Sequence, residues 1–178
     1  VYKRQPSFCA TNSFGKLLDL QGKIFATSNM YPTHEKTVSV VSNLQKKGYK
    51  VILLTSRGHE FRNSTNRALK RNKMNFKKSA IGPKGGYPST FKPYNIKKLK
   101  ESGITKEESI VAKLKSPRSV SYMDGLFMGA GQHKGIMLKT LLHKTKTKFK
   151  AIVFADDHKK HTTRMHSIWG KKKGVELV

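Results

Sequence analysis

Asp156 and Asp157 stand side by side at the end of the apolar run Ala151-Ile152-Val153-Phe154. The chain has 178 residues and only ten carboxylates, so an adjacent pair there asks for a reason. Two neighbouring acids repel, and burying them is expensive without a cation. A hard divalent ion removes that cost, and oxygen ligands suit Mg2+. A second apolar run, Val51-Ile52-Leu53-Leu54, ends in Thr55-Ser56-Arg57, which offers a hydroxyl and a guanidinium. Lys134 opens a third apolar-periodic segment and offers an ammonium. Brought to neighbouring element ends, the hydroxyl and the ammonium would hold phosphoryl oxygens. With the acid pair they would make a phosphate-plus-magnesium site. Each alone has a plainer role: the acids as a turn and helix cap, Thr55 as a strand-end hydroxyl, Lys134 as one surface lysine among many. Their order along the chain favours the joint reading.

His158, His161 and His166 follow the acid pair. A zinc site with Asp156 can be drawn, but no tight motif such as His-Glu-x-x-His is present. Surface histidines on a cationic helix are the simpler expectation.

These residues depend on elements that bring their ends together. Residues 17–25 fit a helix or a strand. Val38, Val41 and Leu44 predict a helix over 33–47, capped by Thr33 or Thr37 and stopped at Gly48. The continuous apolar runs at 50–55 and 148–155 predict strands buried on both faces. Residues 63–73 read as a polar helix facing inward with Ala68 and Leu69. Residues 119–127 read as a strand pair bent at Asp124-Gly125. A helix is expected from 133 to 143, a short one over 162–169, and the start of a strand at 175–178. Residues 79–118 carry loop breakers around Gly82-Pro83 and Gly85-Gly86, with a short helix at 96–101. That stretch is expected to be a peripheral insertion. Helices alternating with fully apolar strands predict an α/β three-layer fold with a parallel sheet and helices on both faces. Such folds bind ligands beyond the carboxyl ends of their strands. Thr55-Ser56-Arg57 and Asp156-Asp157 stand there, with Lys134 close by.

Composition narrows the classes further. Lys and Arg number 37 against ten acids, a formal charge of +27, and 36% of residues are hydrophobic. The basic residues spread along the chain without a block of five, as on a lysine-rich solvated surface. The rival reading is a basic protein that binds polyanions such as nucleic acid. Nonspecific, salt-sensitive adhesion to polyanions is expected either way. No apolar run of about 18 residues is present. Cys9 is the single cysteine and has no partner for an internal disulfide. The opening Val1-Tyr2-Lys3-Arg4-Gln5 looks like translated adapter sequence, outside the fold. Residues 1–30 are expected to be a remnant, and 31–178 the core.

The three polar segments resemble a known superfamily. Val51-Ile52-Leu53-Leu54-Thr55-Ser56-Arg57-Gly58 is similar to the second motif of the haloacid-dehalogenase-like (HAD-like) hydrolases. Lys134-Gly135 before an apolar helix is similar to the third, and Ala151-Ile152-Val153-Phe154-Ala155-Asp156-Asp157 to the fourth. Tyr122-Met123-Asp124-Gly125-Leu126-Phe127-Met128-Gly129, with Lys134-Gly135, comes closest to an uncharacterised bacterial branch, a domain of unknown function. The resemblance implies a Rossmann-like, magnesium-dependent hydrolase with an aspartate nucleophile, usually acting on phosphate esters. It implies that Thr55, Ser56, Arg57 and Lys134 hold a phosphorylated small molecule. It also implies that Lys134 offsets the phosphoryl charge, that Asp156 binds Mg2+, and that Asp157 assists.

One motif is absent. The superfamily's first strand ends in Asp-x-Asp, yet Asp19 is the only aspartate before Asp124, and Gln21 stands two residues on. His161 stands where the fourth motif closes with Asn or Asp. Either the sequence begins just after the first motif or the chain is a catalytically dead relative. The opening residues favour the first. In the family fold the absent strand lies between the strands ending at Thr55 and Asp156. The resemblance therefore implies a sheet with a gap at its centre, and an inactive chain.

Overall fold

The computed structural model describes residues 14–32, 34–170 and 176–177. The adapter-like residues 1–5, Cys9, the candidate cap Thr33, Lys171 to Lys173, Val175 and Val178 lie outside them. The described chain is mixed α/β, with six α-helices and a small three-stranded mixed sheet. It divides into two compact units, one of residues 1–43 and 60–75, the other of 44–59 and 76–178.

The first unit contains α1 (Phe14–Thr27) and α3 (Arg62–Arg71). Residues 17–25, ambiguous by pattern, are helical. Gly22 lets the Phe61 ring sit against this helix, because a Cβ on it would lie 2.4 Å from the ring and force it to move. Asn72 Nδ2 donates to the Met30 and Ala68 carbonyls at 2.7 Å. Between α1 and α3 in sequence runs α2 (Thr37–Lys46), which has no buried residue.

The second unit holds every predicted site residue. In it β1 (Leu53–Thr55) runs parallel to β3 (Leu126–Met128), which is antiparallel to β2 (Ser121–Met123). The β2–β3 turn is Asp124-Gly125, both at positive φ, as the sequence predicted. α4 (Lys106–Val111) precedes this hairpin, and α5 (Lys134–Lys144) follows it. β4 (Ala151–Ile152) leads to α6 (Lys159–Trp169) and pairs in parallel with β5 (Glu176–Leu177). The core joins Tyr122 and Phe127 of the sheet to Ile136, Met137 and Leu141 of α5 and Met165, Ile168 and Trp169 of α6. Residues 79–118 contribute Ile81, Tyr94 and Ile104 to it, and Phe91 bridges to Val120.

Two sheet expectations change. The ordered ladders are short, and neither apolar run is buried on both faces. Ile152 and Phe154 pack on the core, while Ala151, Val153 and Ala155 are exposed, Val153 by 76%. The run conceals a period of two, the signature of one covered face. The sheet is also mixed and split. Strand order is β1-β3-β2 in one ladder and β4-β5 in a separate one. Leu53 and Thr55 direct their backbone bonds to the β3 side, so alternation turns the Leu54 amide and carbonyl to an edge that no described strand occupies. β4 likewise has one unpaired edge among the described residues. Leu54 and Ile152 nevertheless pack on the same core cluster.

Candidate functional site

Thr55 closes β1, and its hydroxyl oxygen accepts from the Arg57 amide at 3.2 Å. That bond uses the oxygen as acceptor and leaves its O–H to donate elsewhere. The turn is fastened to the loop after β3. Gly129 N donates to the Thr55 carbonyl at 2.8 Å, Gly131 N to Ser56 at 2.7 Å, and Ala130 N to Arg57 at 3.1 Å. Gly129 eases this approach, since a Cβ would lie a tight 3.1 Å from the Thr55 carbonyl oxygen. Ser56 is exposed and Arg57 half-buried, and burial lowers the Arg57 pKa.

The same loop delivers α5. His133 is its N-cap, with Nδ1 accepting from the Ile136 amide at 3.4 Å. Burial, with the charge of Arg164, pushes the His133 pKa down to about 4, so the ring is a neutral acceptor at pH 7. Lys134 follows. Gly135 lets α6 close on α5, because a Cβ would lie 2.9 Å from the Arg164 carbonyl oxygen and 3.0 Å from Ile168. The Trp169 indole seals the contact by donating to the Gly135 carbonyl at 3.1 Å.

That packing carries the segment between β4 and α6 to Lys134. Lys134 Nζ lies 2.5 Å from Asp156 Oδ2, with side-chain exposures of 11% and 5%. Asp156 Oδ1 accepts from the His158 amide at 3.0 Å. Burial works to raise the Asp156 pKa. The hydrogen bonds from Lys134 and the His158 amide, with the Lys134 charge, outweigh it and hold the carboxyl below its ordinary value. The result is a buried ion pair whose acid stays ionised. His161 stands in the first turn of α6, its ring 5.6 Å from that of His158, with a buried Nδ1 that has no hydrogen-bond partner among the described residues.

Lys134 and Asp156 are thus in contact, and Thr55, Ser56 and Arg57 are tied to the loop that leads to Lys134. From Gly131, which bonds Ser56, to Lys134 is three residues, a backbone reach of at most about 11 Å. Asp157 is exposed and makes no ion pair among the described residues, so the acid pair divides into one inward and one outward member. No group of three His, Cys, Asp or Glu among the described residues is placed to hold a metal ion. Sequence reasoning missed the His133 cap and the Gln132 side chain, whose amide bonds Arg118 and Gly129. No periodic signal marks either. No helix of the described residues is long and apolar enough to cross a membrane.

A family model described as "Protein of unknown function (DUF2608)" matches residues 8–178. No curated protein and no solved structure matches the chain.

Proposed function

We propose that this chain, which belongs to the DUF2608 family, carries the phosphoryl-binding half of a HAD-like phosphate-ester hydrolase. The observation that carries the reading is the buried Lys134–Asp156 pair beyond β4. The two residues lie 22 apart in sequence, and the resemblance implies that Lys134 offsets the phosphoryl charge and that Asp156 binds Mg2+. The split sheet supports the rest. In this reading the fold is a Rossmann-like sheet lacking one central strand, and a strand bearing the nucleophilic aspartate would lie between the free edges of β1 and β4.

The chemistry follows from the residues. In this reading a carboxylate oxygen of the first Asp of the absent Asp-x-Asp attacks phosphorus, the bond from phosphorus to the ester oxygen breaks, and the second Asp gives its proton to the leaving alkoxide. Water, losing a proton to that second Asp, then attacks phosphorus, the bond from phosphorus to the aspartyl oxygen breaks, and inorganic phosphate leaves. Thr55 donates its O–H to a phosphoryl oxygen, and Lys134 offsets the charge that spreads over those oxygens. Asp156 fixes the Lys134 ammonium in place. Mg2+ keeps several waters and takes one or two carboxylates, so buried, ionised Asp156 fits as one ligand with a further carboxylate from the added strand, whereas Asp157, exposed and outward, does not. Bound there, the ion would supply charge neutralisation of the phosphoryl group. Without a nucleophile, the 178-residue chain binds a phosphorylated small molecule and does not turn it over.

The test is titration of inorganic phosphate and Mg2+ into isotopically labelled chain. The expected result is a joint shift of the Ser56, Gly131 and Gly135 amides that Lys134→Met abolishes, with no hydrolysis of an aryl phosphate. Shifts scattered over the lysine-rich surface and indifferent to Lys134→Met would overturn the reading, and so would turnover by this chain.

A further inference from the structure

Arg118 lies on the segment entering β2, outside the residues assigned above. Its backbone is clamped to the loop after β3. Arg118 N donates to Gln132 Oε1 at 3.1 Å, and Gln132 Nε2 donates to the Arg118 carbonyl at 3.1 Å. The same Nε2 reaches the Gly129 carbonyl at 3.1 Å. This clamp sets where the Arg118 side chain begins. The guanidinium then lies over Gly131, where a Cβ would be 3.2 Å from Nη2. Gly131 holds the Ser56 carbonyl, and Lys134 is three residues on. Arg118, the Ser56 turn and Lys134 therefore border one loop.

The guanidinium is exposed and makes no salt bridge among the described residues. Only seven of the 37 basic residues are arginine, so its presence is not part of the general lysine background. Five donors in a rigid fork match a carboxylate or a phosphate in two-point contact, which an ammonium does not.

We propose that Arg118 is a specificity-determining residue that binds a second anionic group. The ligand of this site is then a phosphate monoester carrying a further carboxylate or phosphate. The inference rests on the reading of Lys134 as the phosphoryl anchor, and the experiment separates the two. Methyl phosphate, phosphoglycolate and pyrophosphate are titrated into the full chain by calorimetry at about 0.15 M salt, where surface attraction is screened. The two probes that carry a second anionic group are expected to bind roughly ten-fold tighter than methyl phosphate or better. Whichever leads identifies the second group. Arg118→Gln should bring the ratio close to one and Arg118→Lys should restore part of it. Lys115→Gln, which removes an equal charge from the same segment, should leave the ratio in place. Lys134→Met should weaken all three probes. A preference that survives Arg118→Gln, or falls equally with Lys115→Gln, overturns the role of Arg118 while leaving the anchor standing. Indifference of every probe to Lys134→Met overturns the anchor itself.

Discussion

Acid should unfasten α5 before it discharges the chain's carboxylates. The His133 ring caps that helix as a neutral acceptor, and its pKa is pushed from about 6.5 down to about 4. In the unfolded chain the ring takes a proton below about pH 6.5, and in the folded chain only below about 4. Between those values the unfolded state binds more protons, so stability falls as pH falls. Two and a half units amount to about 3 kcal/mol, fully lost near pH 4. For a chain of this length that is roughly 6–12 °C of melting temperature. Asn is a good N-cap that does not titrate. Urea unfolding of the parent and of His133→Asn at pH 7 and pH 4 isolates the effect, because other titrations cancel in the difference. Trp169, the single tryptophan, donates to Gly135 and reports on this packing by fluorescence. The variant should lose about 3 kcal/mol less over that interval than the parent. Equal losses in both would refute the burial argument for His133.

Two further outcomes follow from the same helix pair. Asp156→Asn leaves the Lys134 ammonium buried without its counter-charge and should cost about 3–5 kcal/mol, read by urea unfolding. The double variant with Lys134→Met should recover part of that. Gly135→Ala drives a methyl into the Arg164 carbonyl and Ile168. It should cost roughly 1–3 kcal/mol and move Trp169 emission as the indole leaves the Gly135 carbonyl.

Helices were the readable part of the sequence. Val38, Val41 and Leu44 mark α2, and Ile136 to Leu142 mark α5, because a helix declares itself through repeated spacing. α4 escaped although Thr105 and Glu108 form a capping box; its Ile110 and Val111 are exposed, so no apolar stripe follows the cap. The strands were misjudged for a different reason. Ala151 and Val153 are as apolar as Ile152 and Phe154, so composition hides which face meets the core. Lys134 and Asp156 were legible as separate residues, and their contact was not, because a salt bridge 22 residues apart leaves no pattern. Arg118 and Gln132 carry no signal at all, since the Gln132 side chain bonds backbone groups of Arg118 and Gly129, which every residue has.

The way Lys134 meets Asp156 bears on how this site tolerates a split sheet. Strand pairing does not bring them together. β4 has only two residues in its ladder, and no described strand bridges it to β1. The contact is made by helices: Gly135 removes the side chain that would hold α6 away, Trp169 bonds the exposed carbonyl, and Asp156 arrives on the segment that enters α6. Helix packing of this kind is local, 35 residues from Lys134 to Ile168, and it buries apolar area whether or not the sheet is closed. The Lys134–Asp156 contact is therefore set by helix packing and not by the strand edges. In the proposed reading, closing the sheet would supply a nucleophile beside a Lys134–Asp156 pair that is already built, so phosphate binding and turnover would be separable.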